Sequence, residues 1–221
     1  MNIIPSDGFI YEDETDDCYV TIKQDNLSNA SFYKDVLYLR SKGFSKSLGV
    51  NITTDDAKAE YDKYSYLFCL YVNEEPTVSA TVTFARDGKL DCEEFYPTKL
   101  IDRYRNVICS GTKFCVINKH ECRIDIFANT LMHQMWHYAY NRGIRLDILN
   151  AKERLNEYYL RKGYLLVENS TFTHHKWRFR ANVFLLPADS TINSMFKDIF
   201  LEGQDDLSVN EISKYVKLAK S

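Results

Sequence analysis

The chain has no long apolar run, no dominant charge and no paired-cysteine motif, and each absence removes a class of protein. No stretch approaches the roughly 18 apolar residues of a membrane-spanning helix, so no integral membrane segment is expected. Lys and Arg (28) nearly balance Asp and Glu (31), and the net charge of −3 is spread along the chain. That leaves no basic field of the kind that holds nucleic acid. The opening Met1-Asn2-Ile3-Ile4-Pro5-Ser6-Asp7 lacks the basic and apolar regions of a secretory signal, which predicts a cytoplasmic protein. Six cysteines (Cys18, Cys69, Cys92, Cys109, Cys115, Cys122) stand at irregular spacing with no CxxC, and read as free thiols rather than a disulfide frame. Repeats and low-complexity tracts are absent as well.

What is present suits a folded α/β domain. Apolar residues make up 45% of 221 positions, enough for a sizeable core, and 16 Tyr with 13 Phe supply rings for cores and clefts. The length fits one domain with an extension: a flexible acidic N-terminus over 1–17, a main domain over 18–187 and a C-terminal helical extension over 188–221. Tyr19–Lys23 reads as a strand. Ser28–Phe44 reads as a helix from the spacing of Phe32, Val36 and Leu39, and of Tyr33, Leu37 and Arg40, with Gly43 ending or fraying it. Ser45–Ala59 is loop-like. Tyr66–Val72 and Thr77–Ala85 read as a hairpin whose second strand alternates Val78, Ala80, Val82 and Phe84 with Ser79, Thr81 and Thr83, predicting one buried and one polar face. Leu90–Arg105 is a long connection that reads as lining a site rather than the core.

The stretch Lys113–Tyr164 reads strand, loop, helix, strand, helix, which predicts a crossover returning a parallel strand. Its pieces are Lys113–Asn118, Arg123–Asn141, Ile144–Leu149 and Lys152–Lys162, and the first helix carries the apolar stripe Ile124, Phe127, Leu131, Met135 and Tyr138. Leu165–Glu168 and Trp177–Leu186 read as a closing antiparallel pair. The tail holds two short amphipathic helices, the second opened by the capping box Ser208-Val209-Asn210-Glu211.

The phrase Asn150-Ala151, followed by Tyr158-Tyr159-Leu160-Arg161-Lys162-Gly163-Tyr164, resembles the closing signature of the GNAT acyltransferase superfamily. There an Asn opens the last helix and a Tyr stands four residues before a Gly-aromatic pair. The order of elements from Tyr19 to about Leu186 matches that fold: a mixed, mostly antiparallel sheet flanked by helices around a central β-α-β-α unit. Tyr38-Leu39-Arg40 with Phe44, and Glu60-Tyr61-Asp62, resemble the acyl-homoserine lactone synthase and long-chain N-acyl amino acid synthase branch. The resemblance implies transfer of an acyl group, fatty in that branch, from an acyl carrier protein or acyl-CoA co-substrate to a small amine or amino-acid acceptor, with no bound cofactor.

It also implies roles for particular residues. Val116, Ile117 and Asn118 would hold the donor's amide arm and the oxyanion through backbone N–H groups. Arg123, Ile124 and Asp125 would face the donor's phosphate, and Asn150 would complete the donor site. Tyr159 would protonate the leaving thiolate. Arg40, Phe44 and Asp62 would shape the acceptor pocket, with Arg40 on an acceptor carboxylate; Asp62, Glu93 and Glu94 are the carboxylates available as a base, directly or through a water relay. Two departures stand out. Ile126 occupies a position where the superfamily's phosphate loop has Gly, obstructing close approach to a pyrophosphate, which favours a carrier-held donor docked on Lys119, Arg123, Arg161 and Lys162. Ser110-Gly111-Thr112-Lys113 replaces a Glu-x-x-Arg, so Ser110 supplies no base. Both departures also suit an alternative, a catalytically inactive GNAT-like binding or regulatory module.

Other constellations carry less. His133 and His137 lie one helical turn apart, but Gln134 stands where a zinc hydrolase has Glu and no third ligand is evident, so no metal site is predicted. His120 and Cys122 lack a third group for nucleophilic catalysis. In His174–Arg180 basic and aromatic residues alternate, which strand periodicity explains more simply than nucleic-acid binding. The basic tail Lys214–Lys220 suits peripheral contact with an anionic membrane.

Overall fold

The computed structural model describes residues 9–15, 18–25, 27–117, 124–189, 196, 198–200, 207 and 209–216. In chain order the elements are β1 (Phe9–Thr15), β2 (Cys18–Asp25), α1 (Ala30–Leu48), β3 (Tyr66–Val72), β4 (Glu75–Phe84), α2 (Thr98–Tyr104) and β5 (Ile108–Val116). They continue with α3 (Ile124–Tyr140), β6 (Leu146–Lys152), α4 (Asn156–Arg161), β7 (Leu165–Leu166), β8 (Phe172–Thr173), β9 (Arg180–Pro187) and α5 (Val209–Ile212). Two compact units contain them: Met1–Thr83 with Thr112–Met135, and Phe84–Gly111 with Trp136–Ser221. The division falls inside the 18–187 segment rather than at its ends.

In the first unit β1 to β4 are successive antiparallel neighbours. Residues 9–15 thus form a strand instead of a loose acidic arm, because pairing with β2 satisfies the backbone whatever the side-chain charge. Asn73 and Glu74 join β3 to β4 with φ of 49° and 66°, the positive pair that suits a two-residue hairpin turn. The predicted polar face of β4 is buried: Thr77, Ser79, Thr81 and Thr83 are as enclosed as the Val and Ala residues between them. The threonine hydroxyls serve internal hydrogen bonds, Thr83 with Ser65 (2.7 Å), Thr81 with Arg40 (2.6 Å) and Thr77 with the Glu75 carbonyl (3.0 Å), whereas the Ser79 hydroxyl has no partner among the described residues.

Helix α1 is capped by Asn29, whose side chain accepts the N–H groups of Ser31 and Phe32. It runs through Gly43 and stops at Gly49, which has φ 71°. Gly43 does not end the helix; it clears space for β5. A Cβ there would meet Cys115 Cβ at 3.0 Å and Sγ at 3.1 Å. The inward stripe of α1, Phe32, Val36 and Leu39, packs on Leu67, Cys69 and Tyr71 of β3.

In the second unit β5 lies parallel to β6, with Ile108 opposite Leu146 and Cys109 opposite Asp147, as the crossover predicts. β9 then pairs antiparallel with β6, β7 and β8. The long connection contains α2, whose Leu100 and Ile101 join a core with Ile108, Ile148, Val183 and Leu185. His174–Arg180 is mostly a turn leading into β9, not a continuous strand, with Arg178 at φ 57°. Of the tail, Ile212 and Val216 enter the same core and Val216 bridges to Val167. Ser208 and most of the first predicted tail helix lie outside the described residues. No described helix is long and apolar enough to cross a membrane.

Candidate active site

The first unit encloses a charged network beneath β4. Asp62, on a short 3-10 turn (Glu60–Tyr64), accepts Arg40 Nη1 at 2.7 Å and Nη2 at 3.0 Å, one to each carboxylate oxygen. Oδ2 also accepts the Tyr33 phenol at 2.9 Å and the Ala59 N–H at 3.0 Å. Burial alone would raise the Asp62 pKa, but Arg40, Lys113 and the Ala59 N–H outweigh it and hold the carboxyl below its usual range. Burial, then the Asp62 charge, pushes Tyr33 up to about 12.

This geometry corrects two expected roles. Arg40 is 0% exposed, with its guanidinium shared among Asp62, Thr81 and the Ala57 carbonyl, so it is a core ion pair rather than a clamp for an acceptor carboxylate. Asp62 is a four-times-bonded carboxylate of lowered basicity and does not suit proton abstraction. Phe44 lies half-buried one turn further along α1. Arg40 and Asp62 are thus brought together as partners of each other.

At the end of β5 in the same unit, Lys113 adopts φ 52° inside the strand, a left-handed step that interrupts the ladder. Its Nζ lies 3.8 Å from the centre of the Tyr61 ring. The Ile117 N–H donates to Thr77 O at 3.0 Å. That donor is therefore engaged within the sheet and is not available to an oxyanion, a correction to the expected set. Val116 closes the strand; Asn118 and Arg123 lie outside the described residues. Helix α3 begins at Ile124, with Asp125 exposed in its first turn and Ile126 59% exposed beside it.

The second unit gathers a hydroxyl and carboxylate group around β5 and β6. Asn150 lies inside β6, where its backbone opposes Val183; it does not open a helix. The strand extends to Lys152, a 3-10 turn follows, and α4 starts only at Asn156. The Asn150 amide donates to the Tyr96 phenol at 3.2 Å, with Ser110 Oγ 3.4 Å from the same oxygen. Burial keeps Tyr96 protonated well above its ordinary range. Asp147, one strand residue from Ile148, accepts the Gly111 N–H at 2.8 Å and the Tyr164 phenol at 2.6 Å, and the Cys109 thiol lies 3.6 Å away. Gly111 makes room for it, since a Cβ there would stand 3.2 Å from Asp147 Oδ2. Burial raises the Asp147 pKa despite these three donors.

Tyr159 lies on α4 with its ring 5.4 Å from Tyr164 and 5.5 Å from Phe184, half-buried. Its place on a ring-packed helix of the second unit, with Asn150 and Tyr164, holds together the residues of the closing signature. Glu94 sits on the surface with its carboxylate 3.6 Å from both Lys89 Nζ and His175 Nδ1. It is not an enclosed base. Two bonded groups were not expected from the sequence, Asp147 with Tyr164 and Gly111, and Tyr96 with Asn150 and Ser110; the available signal for the first was a lone Asp inside the apolar run Ile144–Leu149, which burial forces to find donors. Cys69, Cys92, Cys109 and Cys115 are buried free thiols, as expected. His120 and Cys122 lie outside the described residues, and His137 is exposed on α3.

A mixed, mostly antiparallel sheet flanked by helices, with a β5-α3-β6-α4 crossover unit, is the GNAT fold. The solved structures it resembles include the N-acyl amino acid synthase FeeM from uncultured soil microbes (TM-score 0.65, 11% identity, 82% of this chain and 98% of that one). The AHL synthase LasI gives a TM-score of 0.61 at 12% identity, over 92% of this chain and 98% of that one. An aminoglycoside 6'-acetyltransferase type Ii gives 0.52 at 11% identity, over 75% and 96%. No protein-family model and no curated protein matches the sequence.

Proposed function

We propose that the protein is an N-acyltransferase, moving an acyl group, fatty by preference, from a carrier-protein or coenzyme A thioester to a primary amine such as that of an amino acid. The observation that carries this reading is the closing signature on its expected scaffold: Tyr159 on α4, four residues before Gly163-Tyr164, following the parallel β5–β6 crossover. The likeness to an N-acyl amino acid synthase and an AHL synthase over nearly their whole lengths supports it.

In this reading the amine attacks the thioester carbonyl and Tyr159 gives its proton to the departing sulfur. The amine's own proton leaves to water, because Asp62 is neutralised by Arg40 and Glu94 is a surface carboxylate. Ile126, exposed on the first turn of α3, supports a carrier-held donor over free coenzyme A, whose pyrophosphate needs close backbone approach. Soluble function in the cytoplasm, with an acidic carrier protein met by Arg161 and Lys162, belongs to the same proposal.

The test is release of free carrier-protein thiol from acyl carrier thioesters in the presence of pooled amino acids. Thiol release that requires both an amine and Tyr159 supports the reading. Release equal to the uncatalysed rate with every donor contradicts it and favours the binding-module alternative.

A further inference from the structure

In the second unit three side chains of metal-ligating type converge. Cys92, His174 and His175 each bring one ligating atom to within 4.8 Å of the others. Cys92 Sγ lies 4.0 Å from His175 Nδ1, and Glu94 Oε1 lies 3.6 Å from that same nitrogen. Zinc bonds of about 2.3 Å to sulfur and about 2.0 Å to nitrogen separate tetrahedral ligand atoms by roughly 3.3–3.6 Å. The cluster is therefore open by about half an ångström to about one and a half ångströms, within the reach of side-chain rotation.

The geometry distinguishes ligation from nucleophilic catalysis. In a thiol–imidazole–acid relay the acid and the thiol address opposite ring nitrogens. Here both address Nδ1 of His175, which is convergence on a common point. Cys92 also holds φ 57°, a left-handed conformation that a glycine would adopt without strain. The N–H groups of Lys176 and Trp177 orient the His174 ring from 3.2 and 3.3 Å at Nδ1. Both contacts are long, so a metal displaces them at small cost whichever ring nitrogen it takes. Cys92 and His174 are buried whereas His175 and Glu94 are exposed, giving a dry floor and an open entry.

We propose that Cys92, His174 and His175 form a zinc site, with Glu94 as the fourth ligand, that clips the turn at Cys92–Phe95 to the turn at His174–Phe179. One thiolate, two imidazoles and a carboxylate match the ligand preferences of Zn²⁺. The Cys92–Phe95 turn already meets β8, which leads into the second turn, through the stacked rings of Phe95 and Phe172, 4.1 Å apart, so the ion adds a second tie beside an existing one. Binding releases the Cys92 thiol proton, so affinity rises with pH.

The test uses the full-length chain, reduced and freed of metal by chelation, titrated with Co²⁺ and then Zn²⁺. A single equivalent of Co²⁺ gives a thiolate-to-cobalt absorption band that Zn²⁺ abolishes, and Zn²⁺ raises the melting temperature. Cys92→Ser removes the band. His175→Gln, at an exposed position that leaves the fold intact, weakens binding by at least about tenfold. Cys18→Ser and Cys122→Ser leave the band unchanged. Absence of the band, its survival in Cys92→Ser, or unchanged affinity in His175→Gln overturns the site. None of these readouts depends on acyl transfer, so failure here is separate from failure of the acyltransferase reading.

Discussion

Removing the negative member of the Arg40–Asp62 pair tests whether it is a structural ion pair or part of an acceptor pocket. Asp62→Asn keeps the size of the side chain but sets an amide donor against a guanidinium that already has one buried nitrogen, Nε, without a hydrogen bond among the described residues. The Arg40 charge then stays enclosed at 0% exposure with no counter-charge at 2.7 Å. Breaking a buried pair by deleting one partner costs about 3–5 kcal/mol. At ~2–4 °C per kcal/mol for a chain of this size, the melting temperature should fall by about 6–20 °C. Replacing both partners, Arg40→Met with Asp62→Leu, should recover most of that loss, because the uncompensated charge goes with its desolvation.

The same pair gives a pH signature. The folded Asp62 pKa lies below its ordinary value of 3.8, so the stability it contributes is present above that value and is lost as pH falls through the folded pKa. Wild-type melting temperature should therefore drop on acidification below about pH 4, and Asp62→Asn should flatten that drop. Thermal melts by circular dichroism across pH 3 to 7 read both effects, at roughly the precision needed. A single variant melting within about 3 °C of wild type, with an unchanged acid limb, would refute the argument.

Tyr159→Phe retains the ring contacts with Tyr164 and Phe184 and should melt like wild type while losing about 10²–10⁴-fold in kcat, as expected for a lost proton donor; equal turnover in steady-state assays contradicts the assignment. Gly43→Ala, which in an open helix would gain stability, should instead cost about 1–3 kcal/mol by urea unfolding, because the new Cβ meets Cys115 at 3.0 Å. Burial raises the Asp147 pKa, so its contribution is fully present below the unfolded value and is lost as pH rises through the folded one. Asp147→Asn should accordingly be relatively more stable than wild type at neutral pH than below the ordinary Asp value of 3.8, a comparison of melting temperatures that an unshifted difference contradicts.

Periodicity made the crossover legible. The stripe from Phe127 to Tyr138 could serve only a helix of 3.6-residue period, and a strand on either side of it forces the parallel return seen at Ile108 and Leu146. Gly43 misled because local propensity, which disfavours glycine in a helix, yielded to a tertiary contact with Cys115 that no local pattern encodes. The alternating strand β4 misled for a related reason. Ser and Thr on one face normally mark solvent, but here the face is buried, and Arg40 and Ser65 engage the hydroxyls of Thr81 and Thr83. Arg40 itself stood at the expected position yet with its charge already satisfied, a fact set by Asp62 across 22 residues. The bonded trio Tyr96, Ser110 and Asn150 was illegible because its members approach from three separate segments.

Acyl transfer to an amine is read most directly by mass spectrometry of the amine product. The purified chain is incubated with fatty acyl carrier-protein thioesters, or the matching acyl-CoA, and pooled amino acids. N-acyl amino acids should form with wild type, faster from the carrier-protein donor, and fall to background with Tyr159→Phe. No N-acyl product from either donor at any chain length, with a protein that melts cooperatively, contradicts it.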